Sequence, residues 1–429
     1  KRKLNWQKIF NLISFTFILA CIIFYGTRFI RLYLQNNKKE EIKVLADNIK
    51  DNNEGNLKNI NSDYYFTGKE VNNYVKYSNI LFRIIKINKD NSITLISDKP
   101  ITSLAKGDNN DYKTSYINNW LNNQDKENTG ILEKNLNNPN KYLTYTNACN
   151  DKIDNTKNIT CKSTLADTLI TLPSLYDYIN TGDTKSFMNN ETYYYLLNTN
   201  KDNKTWYIND NGGVTTSDNT DILGIKPVIT LKSTNKLING DGTKDNPYTF
   251  EEEQSILGSY VKLGNDTWRV YDIDDNNLKL SLDNYLKINN EEITYKYSDK
   301  GYYHNDGKQG TLAYYLNKNY LSKLTYSSNI IEANYANGIY SNTTNYDYTK
   351  VLNKTIPTKV ATLSIGNIII NSDNTNYYLS TGVDTNSNLV YVMTNDFKLY
   401  TKNATSKLKI VPVITIDKIL SSSRGTTST

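Results

Sequence analysis

The chain contains two related copies of one pattern, and this repeat limits the possible folds more than any other feature. The segment YVKYSNILFRI, in which Tyr74 and Arg83 stand nine residues apart, returns as YVKLGNDTWRV. In the second copy the same positions are Tyr260 and Arg269. In both copies a turn of Asp and Asn residues follows and leads into another alternating apolar segment. Alternation bounded by turn residues predicts hairpin strands.

The match continues in the same order to the end of each copy. The further matched segments are SYINNWLN with TLAYYLN, ADTLITL with ATLSI, YYL with YYL, WYI with VYV, and IKPVITL with IVPVITI. The last of these places Pro227 opposite Pro412. A composition rich in Asn, Lys and Tyr does not explain matches that keep one order, so the sequence predicts a tandem duplication. We expect module 1 over residues 62–250 and module 2 over residues 256–418.

The N-terminal sequence predicts a membrane anchor. Residues Ile9–Thr27 carry no charge, and at about 1.5 Å per residue a helix of that length approaches the ~30 Å of a bilayer core. We therefore expect a basic cytoplasmic tail over 1–8, a transmembrane helix over 9–27 and a juxtamembrane stalk over 28–61. Two alternatives stay open: a cleaved signal peptide, and a lipoprotein in which Cys21 of the ILAC segment carries the lipid.

The positive charge is concentrated beside this span. Residues 1–39 hold eight Lys or Arg and no acid, which leaves 42 bases against 44 acids in the rest of the chain. A protein that neutralises many phosphates needs a concentrated basic face. The sequence therefore predicts contact with a membrane through the N-terminal helix and no nucleic-acid partner.

Cysteine usage indicates the compartment. Apart from Cys21, the chain has only Cys149 and Cys161, both in one polar segment. Two cysteines spaced to close a small loop suit an oxidising exterior, so we expect a disulfide. Two free thiols, or half of a metal site that lacks its partners, are the alternatives. With the span, the pair predicts a single-pass protein of the cell membrane whose C-terminal region is extracellular, ending in a flexible tail over 419–429.

Catalytic and metal chemistry have little support in the sequence. The only histidine, His304, stands in a polar YYHNDG stretch, and zinc sites need clustered His and Cys ligands. Asp- and Asn-rich turns could suggest calcium, but none matches a spaced calcium loop. We expect no cofactor, no metal and no enzymatic activity. The retention of Arg83 and Arg269 in both copies favours a role in ordering the shared fold.

The motifs YVKYSNILFRI, SYINNWLNN, WYIND, GIKPVITLKS and GDGTKDNPY resemble an uncharacterised family of bacterial surface domains. That family is similar to the C-type-lectin-like fold of the formylglycine-generating proteins. Its closing strand typically carries Gly-hydrophobic-Arg-Pro-Val, and here Lys226 replaces the arginine. The likeness covers residues 62–250 well and is degraded over 256–418. It implies an α+β fold, with two lectin-like β-rich modules behind the transmembrane helix, but no particular activity.

These observations together predict a cell-surface binding or adhesion protein whose ligand is a protein or a glycan. A structural subunit of a self-assembling surface structure is the first alternative, and an enzyme with an unrecognised site is the second. Loops carry binding residues on rigid scaffolds. We therefore expect ligand contacts on the long loops, with Trp206, Tyr302 and Tyr303 as candidates.

Overall fold

The computed structural model describes residues 44–419, except 108–110, 158, 301–305, 342–345, 371–376 and 385–386. The described residues are mainly β, with 36% strand and 17% helix. Within the described ranges, no helix is long and apolar enough to cross a membrane. The predicted fold class, α+β with an N-terminal transmembrane helix, is therefore corrected to mainly β for the described residues. The expected span, residues 9–27, lies outside the described residues, as do Cys21 and the tail from residue 420.

The helices are short, which is why the strands dominate. The matched segment SYINNWLN forms only six helical residues, Tyr116–Leu121, because its cap Ser115 and the extended Asn122 enclose a single turn and a half. The other α-helices are Leu45–Asn52, Pro139–Tyr142, Leu175–Asn180, Leu312–Tyr314 and Tyr348–Asn353, and residues Tyr315–Tyr320 form a π-helix. The 3₁₀-helices are Glu54–Asn56, Tyr112–Thr114, Glu133–Asn135, Asp183–Lys185, Leu321–Lys323 and Ser327–Asn329.

The strands of the first half lie at or before residue 250. They are β1 (Leu57–Ile60), β2 (Asp63–Phe66), β3 (Tyr74–Tyr77), β4 (Ile80–Ile87), β5 (Ile93–Ser97), β6 (Ser103–Leu104), β7 (Leu143–Thr144), β8 (Ala148–Cys149), β9 (Thr164–Leu165), β10 (Ile170–Thr171), β11 (Tyr194–Thr199), β12 (Thr205–Ile208), β13 (Val214–Ser217), β14 (Leu223–Gly224), β15 (Val228–Leu231), β16 (Leu237–Asn239) and β17 (Thr249–Phe250).

The strands of the second half follow residue 256. They are β18 (Tyr260–Leu263), β19 (Asp266–Ile273), β20 (Asn277–Leu282), β21 (Lys287–Ile288), β22 (Glu291–Glu292), β23 (Thr294–Lys296), β24 (Ile330–Ile331), β25 (Ala333–Ala336), β26 (Thr355–Thr358), β27 (Val360–Thr362), β28 (Tyr377–Gly382), β29 (Leu389–Met393), β30 (Tyr400–Asn403), β31 (Lys407–Lys409) and β32 (Pro412–Asp417).

The two modules use one topology. In module 1 the large sheet is eight-stranded, and its central strand β15 pairs with β5, β7 and β10. In module 2 the large sheet is six-stranded, and β32 pairs with the corresponding β20, β24 and β27. A second, five-stranded sheet has the order β13-β12-β11-β14-β6 in module 1 and β30-β29-β28-β31-β23 in module 2.

Irregular features recur at the same places, which sequence drift alone would not produce. The β4–β5 ladder shifts register between Ile84 and Lys86, and the β19–β20 ladder shifts between Val270 and Asp272. Ile84 and Val270 are 186 residues apart, as are Lys86 and Asp272, and the same offset separates Arg83 from Arg269. β-Bulges are local features that a fold retains.

A buried asparagine provides a second repeated detail. The side chain of Asn122 accepts from the Ile170 N–H at 3.0 Å and donates to the Ile170 carbonyl at 2.8 Å. Asn317 makes the same two bonds to Val360, also at 3.0 and 2.8 Å. In each module this residue ties the helical segment to the first residue of β10 or β27. The repeat pairs these two asparagines, but nothing in the sequence indicates their role.

The modules share one core and are not separate domains joined by a linker. The segment 363–370 of module 2 enters the apolar cluster of module 1, where Ile365 and Ile368 are buried. At this contact the indole Nε1 of Trp120 donates to the Gly366 carbonyl at 2.9 Å. The Ile369 N–H likewise donates to the Ile101 carbonyl at 2.8 Å. Module 2 retains a separate cluster on the other face of its large sheet, which contains Trp268.

The folded part begins before the predicted boundary of module 1. The helix Leu45–Asn52 buries Leu45, Ala46 and Ile49, and β1 pairs with β2 at the edge of the large sheet. Residues 44–61 therefore belong to the folded unit, whereas the sequence predicted a stalk over 28–61. The apolar spacing Leu45, Ala46, Ile49 is the helical signal that could have found this segment.

Candidate functional site

The repeated Tyr–Arg pair is the first site feature that the structure explains. Tyr74 and Arg83 are cross-strand partners on β3 and β4, and the guanidinium carbon lies 3.9 Å from the centre of the Tyr74 ring. Arg83 donates to the Tyr74 hydroxyl at 2.9 Å and to the Val71 carbonyl at 3.1 Å, and its Nη1 lies 3.8 Å from an Asp98 carboxylate oxygen. Burial lowers the pKa of Arg83. Arg83 thus connects strand β4 to the loop residues Val71 and Asp98.

The second copy keeps the same three residue types. Arg269 stacks on the Tyr260 ring at 4.2 Å and donates to its hydroxyl, and its Nη2 pairs with Asp283 at 3.0 Å. Tyr260 and Arg269 are again cross-strand partners, on β18 and β19. The third member of the trio, Asp98 or Asp283, was not singled out from the sequence. Pro227 directly precedes β15 and Pro412 begins β32, so the proline pair occupies one position of the two central strands.

The disulfide is confirmed. Cys149 and Cys161 are bonded, with their Cα atoms 5.6 Å apart, within the usual range for a bridge. The bond closes the loop between β8 and β9. Inside the loop, Asp151 accepts from the Lys162 N–H at 2.7 Å and from the Ser163 hydroxyl at 2.8 Å. Among the described residues one group of possible metal ligands occurs, Cys149 with Asp151 and Cys161, and both of its sulfurs are in the disulfide.

Of the three predicted ligand contacts, only Trp206 belongs to the residues that the structure describes. Trp206 lies on strand β12, not on a loop, and is half-buried. Its Nε1 donates to the Ile153 carbonyl at 2.8 Å, which anchors the disulfide loop to the second sheet. Its contacts are therefore those of a packing residue. Tyr302 and Tyr303, with His304, lie outside the described residues.

A cleft that the sequence did not predict opens on the large sheet of module 1. A row of cross-strand neighbours runs across five strands at this face, from Tyr65 on β2 to Thr144 on β7. Its members are Tyr65, Lys86, Thr94, Thr230 and Thr144, each paired in register with the next. Above them lies a cleft of about 310 Å³, also lined by Tyr145, Tyr176, Asp63, Asp177 and both disulfide cysteines. We call this the sheet-face cleft.

A charged network fixes one end of the sheet-face cleft. The Lys86 Nζ lies 3.4 Å from Asp63 and 3.5 Å from Asp177, and it donates to the Tyr65 hydroxyl at 3.0 Å. Tyr65 in turn donates to Asp177 at 3.0 Å, and Ser174 donates to the other Asp177 oxygen at 2.6 Å. Every member of the network thus has a partner, as buried charges require.

The protonation states of this network follow from its contacts. Burial lowers the pKa of Lys86, but the carboxylates of Asp177 and Asp63 outweigh burial and hold that pKa above its ordinary value. Burial and the Asp177 carboxylate raise the pKa of Tyr65. Lys86 therefore stays charged and Tyr65 stays a neutral phenol near neutral pH. Neither is a general base, which would need a pKa near the working pH.

The other end of the sheet-face cleft is a chain of hydroxyl and amide groups. Thr94 and Thr230 have their hydroxyl oxygens 3.3 Å apart, and those of Thr146 and Thr230 are 3.1 Å apart. Asn88 donates to the Thr94 hydroxyl at 3.0 Å. At the rim, Tyr145 is 58% exposed. An exposed aromatic ring beside buried hydroxyls and amides suits a polar ligand with an apolar face.

Module 2 has an equivalent position, and there residues of module 1 lie over it. The row Lys86–Thr94–Thr230 corresponds to Asp272, Lys279 and Thr415, again paired strand to strand. This cavity, of about 170 Å³, is covered by residues 128–134 of module 1. We call it the roofed cavity.

Asn135 of module 1 makes two hydrogen bonds to module 2 beside the roofed cavity. Asn135 donates to Asp272 at 3.1 Å and accepts from the Ile273 N–H at 2.9 Å. Burial raises the pKa of Asp272, but Lys279 and Lys134 outweigh burial and hold that pKa below its ordinary value. The same sheet position thus contacts the other module in module 2, whereas in module 1 no residue of the other module lines it.

The sequence did contain a signal for the sheet-face cleft. Lys86 interrupts the apolar run IIKI, and Thr94 and Thr230 interrupt ITLIS and VITL at matching register. A polar residue on the alternate positions of an apolar strand marks the side of the sheet that is not core. The predicted ligand contacts were placed on loops, so they do not include these strand residues.

Comparison with protein-family models, curated proteins and solved structures finds no match to this chain.

Proposed function

We propose that the chain is a non-catalytic binding or adhesion protein of the cell exterior, and that its sheet-face cleft binds a glycan. The observation that carries this proposal is the contrast between the modules. In module 2 this sheet position is covered by residues of module 1, whereas in module 1 no residue of the other module lines it and an exposed tyrosine, Tyr145, does.

The lining favours a sugar over an ionic ligand. Two lysines and three aspartates line the cleft, and the buried lysine among them, Lys86, is already neutralised by Asp63 and Asp177. The remaining groups are hydroxyls, amides and tyrosine rings, which hydrogen-bond sugar hydroxyls and pack on the apolar face of a pyranose. A disulfide at the rim agrees with an oxidising, extracellular setting.

The test is glycan-array binding by the purified protein, followed by two variants. Tyr145→Ala removes the exposed ring without touching the core, and Thr94→Val replaces a hydroxyl that lines the cleft by a methyl group of similar size. We expect each variant to weaken binding of the strongest glycan about tenfold, since one hydrogen bond or one stacked ring is worth about 1–1.5 kcal/mol.

The matched control is Tyr400→Ala, which removes an exposed tyrosine of module 2 that does not line the sheet-face cleft. It should leave glycan binding unchanged. Binding that survives Tyr145→Ala and Thr94→Val together, or an array with no glycan bound, would contradict the proposal. Ordered self-association without glycan binding would favour a structural subunit instead.

A further inference from the structure

Two further clefts surround the repeated Tyr–Arg pairs. The Arg83 cleft, about 570 Å³, is lined by Tyr74 and Arg83. The Arg269 cleft, about 320 Å³, is lined by Tyr260 and Arg269. Lys244, an exposed residue of the turn between β16 and β17, lines both clefts. The duplication has therefore produced a second pair of equivalent clefts, separate from the sheet-face cleft, and they are neighbours.

The hydroxyl of each tyrosine is an oriented hydrogen-bond donor. The Tyr74 oxygen accepts from Arg83 at 2.9 Å, and the Tyr260 oxygen accepts from Arg269. Neither hydroxyl donates to any acceptor among the residues that the structure describes, so its proton is available to a ligand. An arginine that bonds to a phenol oxygen polarises the O–H of that phenol, and such chained bonds strengthen one another. Each cleft thus presents a polarised O–H that suits an anionic oxygen.

The charges around the clefts agree with an anionic ligand. The two clefts together are lined by six basic and four acidic side chains, a net of +2, whereas residues 40–429 as a whole carry a net of −2. Two of the lysines, Lys76 and Lys244, line the Arg269 cleft against one acid, Asp245. A local basic excess on an acidic chain attracts and orients anions.

The lining also contains rings and amides. The rings of Phe187 and Tyr74 both lie close to the Arg83 guanidinium, with ring centres 4.9 and 3.9 Å from its carbon. Asn72 and Asn189 add amide groups to the same cleft. Rings and amides suit a sugar, and the polarised hydroxyl suits a carboxylate on that sugar.

We propose that the Arg83 and Arg269 clefts are two equivalent subsites for one acidic polysaccharide chain, with a carboxylate at Tyr74, a second at Tyr260 and Lys244 between them. The arginines hold the tyrosines in position and are not the main ligand contacts, because their own donors are largely taken up within the protein. A ligand that fills both subsites gains from the effective concentration of the second site.

The experiment measures binding of oligogalacturonides of graded length to the full chain by calorimetry, with neutral dextran as the uncharged probe. Wild-type protein should bind long oligomers at least tenfold more tightly than short ones, and it should not bind dextran at these subsites. Tyr74→Phe and Tyr260→Phe keep the ring that stacks on arginine and remove only the hydroxyl. Each should weaken long-oligomer binding about tenfold, the size of one charge-assisted hydrogen bond.

The double variant should lose the dependence on oligomer length, and Lys244→Ala should reduce it. Tyr400→Phe and Lys126→Ala, exposed residues that line neither cleft, are the matched controls and should change nothing. Binding that is independent of length, or unchanged in the double tyrosine variant, would overturn the proposal. Equal binding of poly-L-glutamate would overturn the polysaccharide assignment. Because none of these variants touches the sheet-face cleft, failure here is distinguishable from failure of the proposed function.

Discussion

Asp272 of module 2 occupies the position that Lys86 occupies in module 1, and the two residues have opposite charge. Lys86 faces an open cleft, whereas Asp272 accepts a hydrogen bond from Asn135 across the module interface. Both residues directly follow a register shift in their ladder. Lys86 then pairs with Thr94, and Asp272 pairs with Lys279. The two copies therefore share the backbone pairing at this position, and they differ in the side chain and in the residues that lie over it.

The shared core leads to a first prediction about cooperativity. Because Ile365 and Ile368 of module 2 pack into the cluster of module 1, we expect the protein to unfold in a single transition. A fragment that ends at residue 255 should expose this surface and aggregate or melt at a lower temperature than the full chain. Calorimetry of both proteins checks this. Two separate transitions in the full chain would show that the modules are independent.

A second prediction concerns the disulfide. The bridge between Cys149 and Cys161 closes a short loop, so replacing both cysteines by serine should lower the free energy of unfolding by about 2–3 kcal/mol on the chain-entropy model. Denaturant titration of the double variant measures the loss. Reduction of the wild-type protein should produce the same loss, and no change in either case would show that the loop is held by Asp151 alone.

The third prediction tests the Tyr–Arg trio as a support of the fold. Arg83→Lys keeps a positive charge but loses the forked geometry that reaches Tyr74 and the Val71 carbonyl together. We expect it to cost about 2–3 kcal/mol of unfolding free energy, the value of hydrogen bonds to a charged group. Lys126→Ala, an exposed change, should cost almost nothing. If Arg83→Lys is as stable as Lys126→Ala, Arg83 does not support the fold in this way.

Lys226 gives a prediction about pH. This lysine is 1% exposed and lies 4.8 Å above the Tyr194 ring. Burial lowers its pKa to about 7, below the value near 10.4 of an unfolded lysine. Between those two pH values the unfolded chain binds more protons than the folded chain, so the stability contribution of this residue rises with pH. The penalty is complete below about pH 7.

Module 2 has Val411 at this position, which suggests the substitution Lys226→Val. The variant should be more stable than wild type by about 1–4 kcal/mol at pH 6, the range found when buried charged groups are replaced by apolar ones. That gain should shrink as the pH rises from 7 toward 10. Comparing melting temperatures of the two proteins across this range isolates Lys226 from other titrating groups. A gain that is constant with pH would contradict the assignment.

The sequence was sufficient for the features that depend on local pattern. The Tyr74 and Arg83 hairpin was predicted because its residues alternate over two strands and return at Tyr260 and Arg269. The disulfide was predicted because Cys149 and Cys161 are the only cysteines after Cys21 and lie in one short polar segment. Features set by packing between distant segments were missed. Nothing near Asn135 indicates that it meets Asp272, 137 residues away, and nothing near Trp206 indicates that its indole anchors the disulfide loop.

The central claim, that the sheet-face cleft binds the ligand, is tested most directly by filling the cleft. Thr164 is exposed and lines it, so Thr164→Trp should block the cleft without disturbing the core. Thr401→Trp, at an exposed strand position of module 2 outside the cleft, is the matched control. Calorimetric titration with the best glycan should show binding weakened at least tenfold by Thr164→Trp and unchanged by Thr401→Trp. Equal affinity of both variants and wild type would contradict the account.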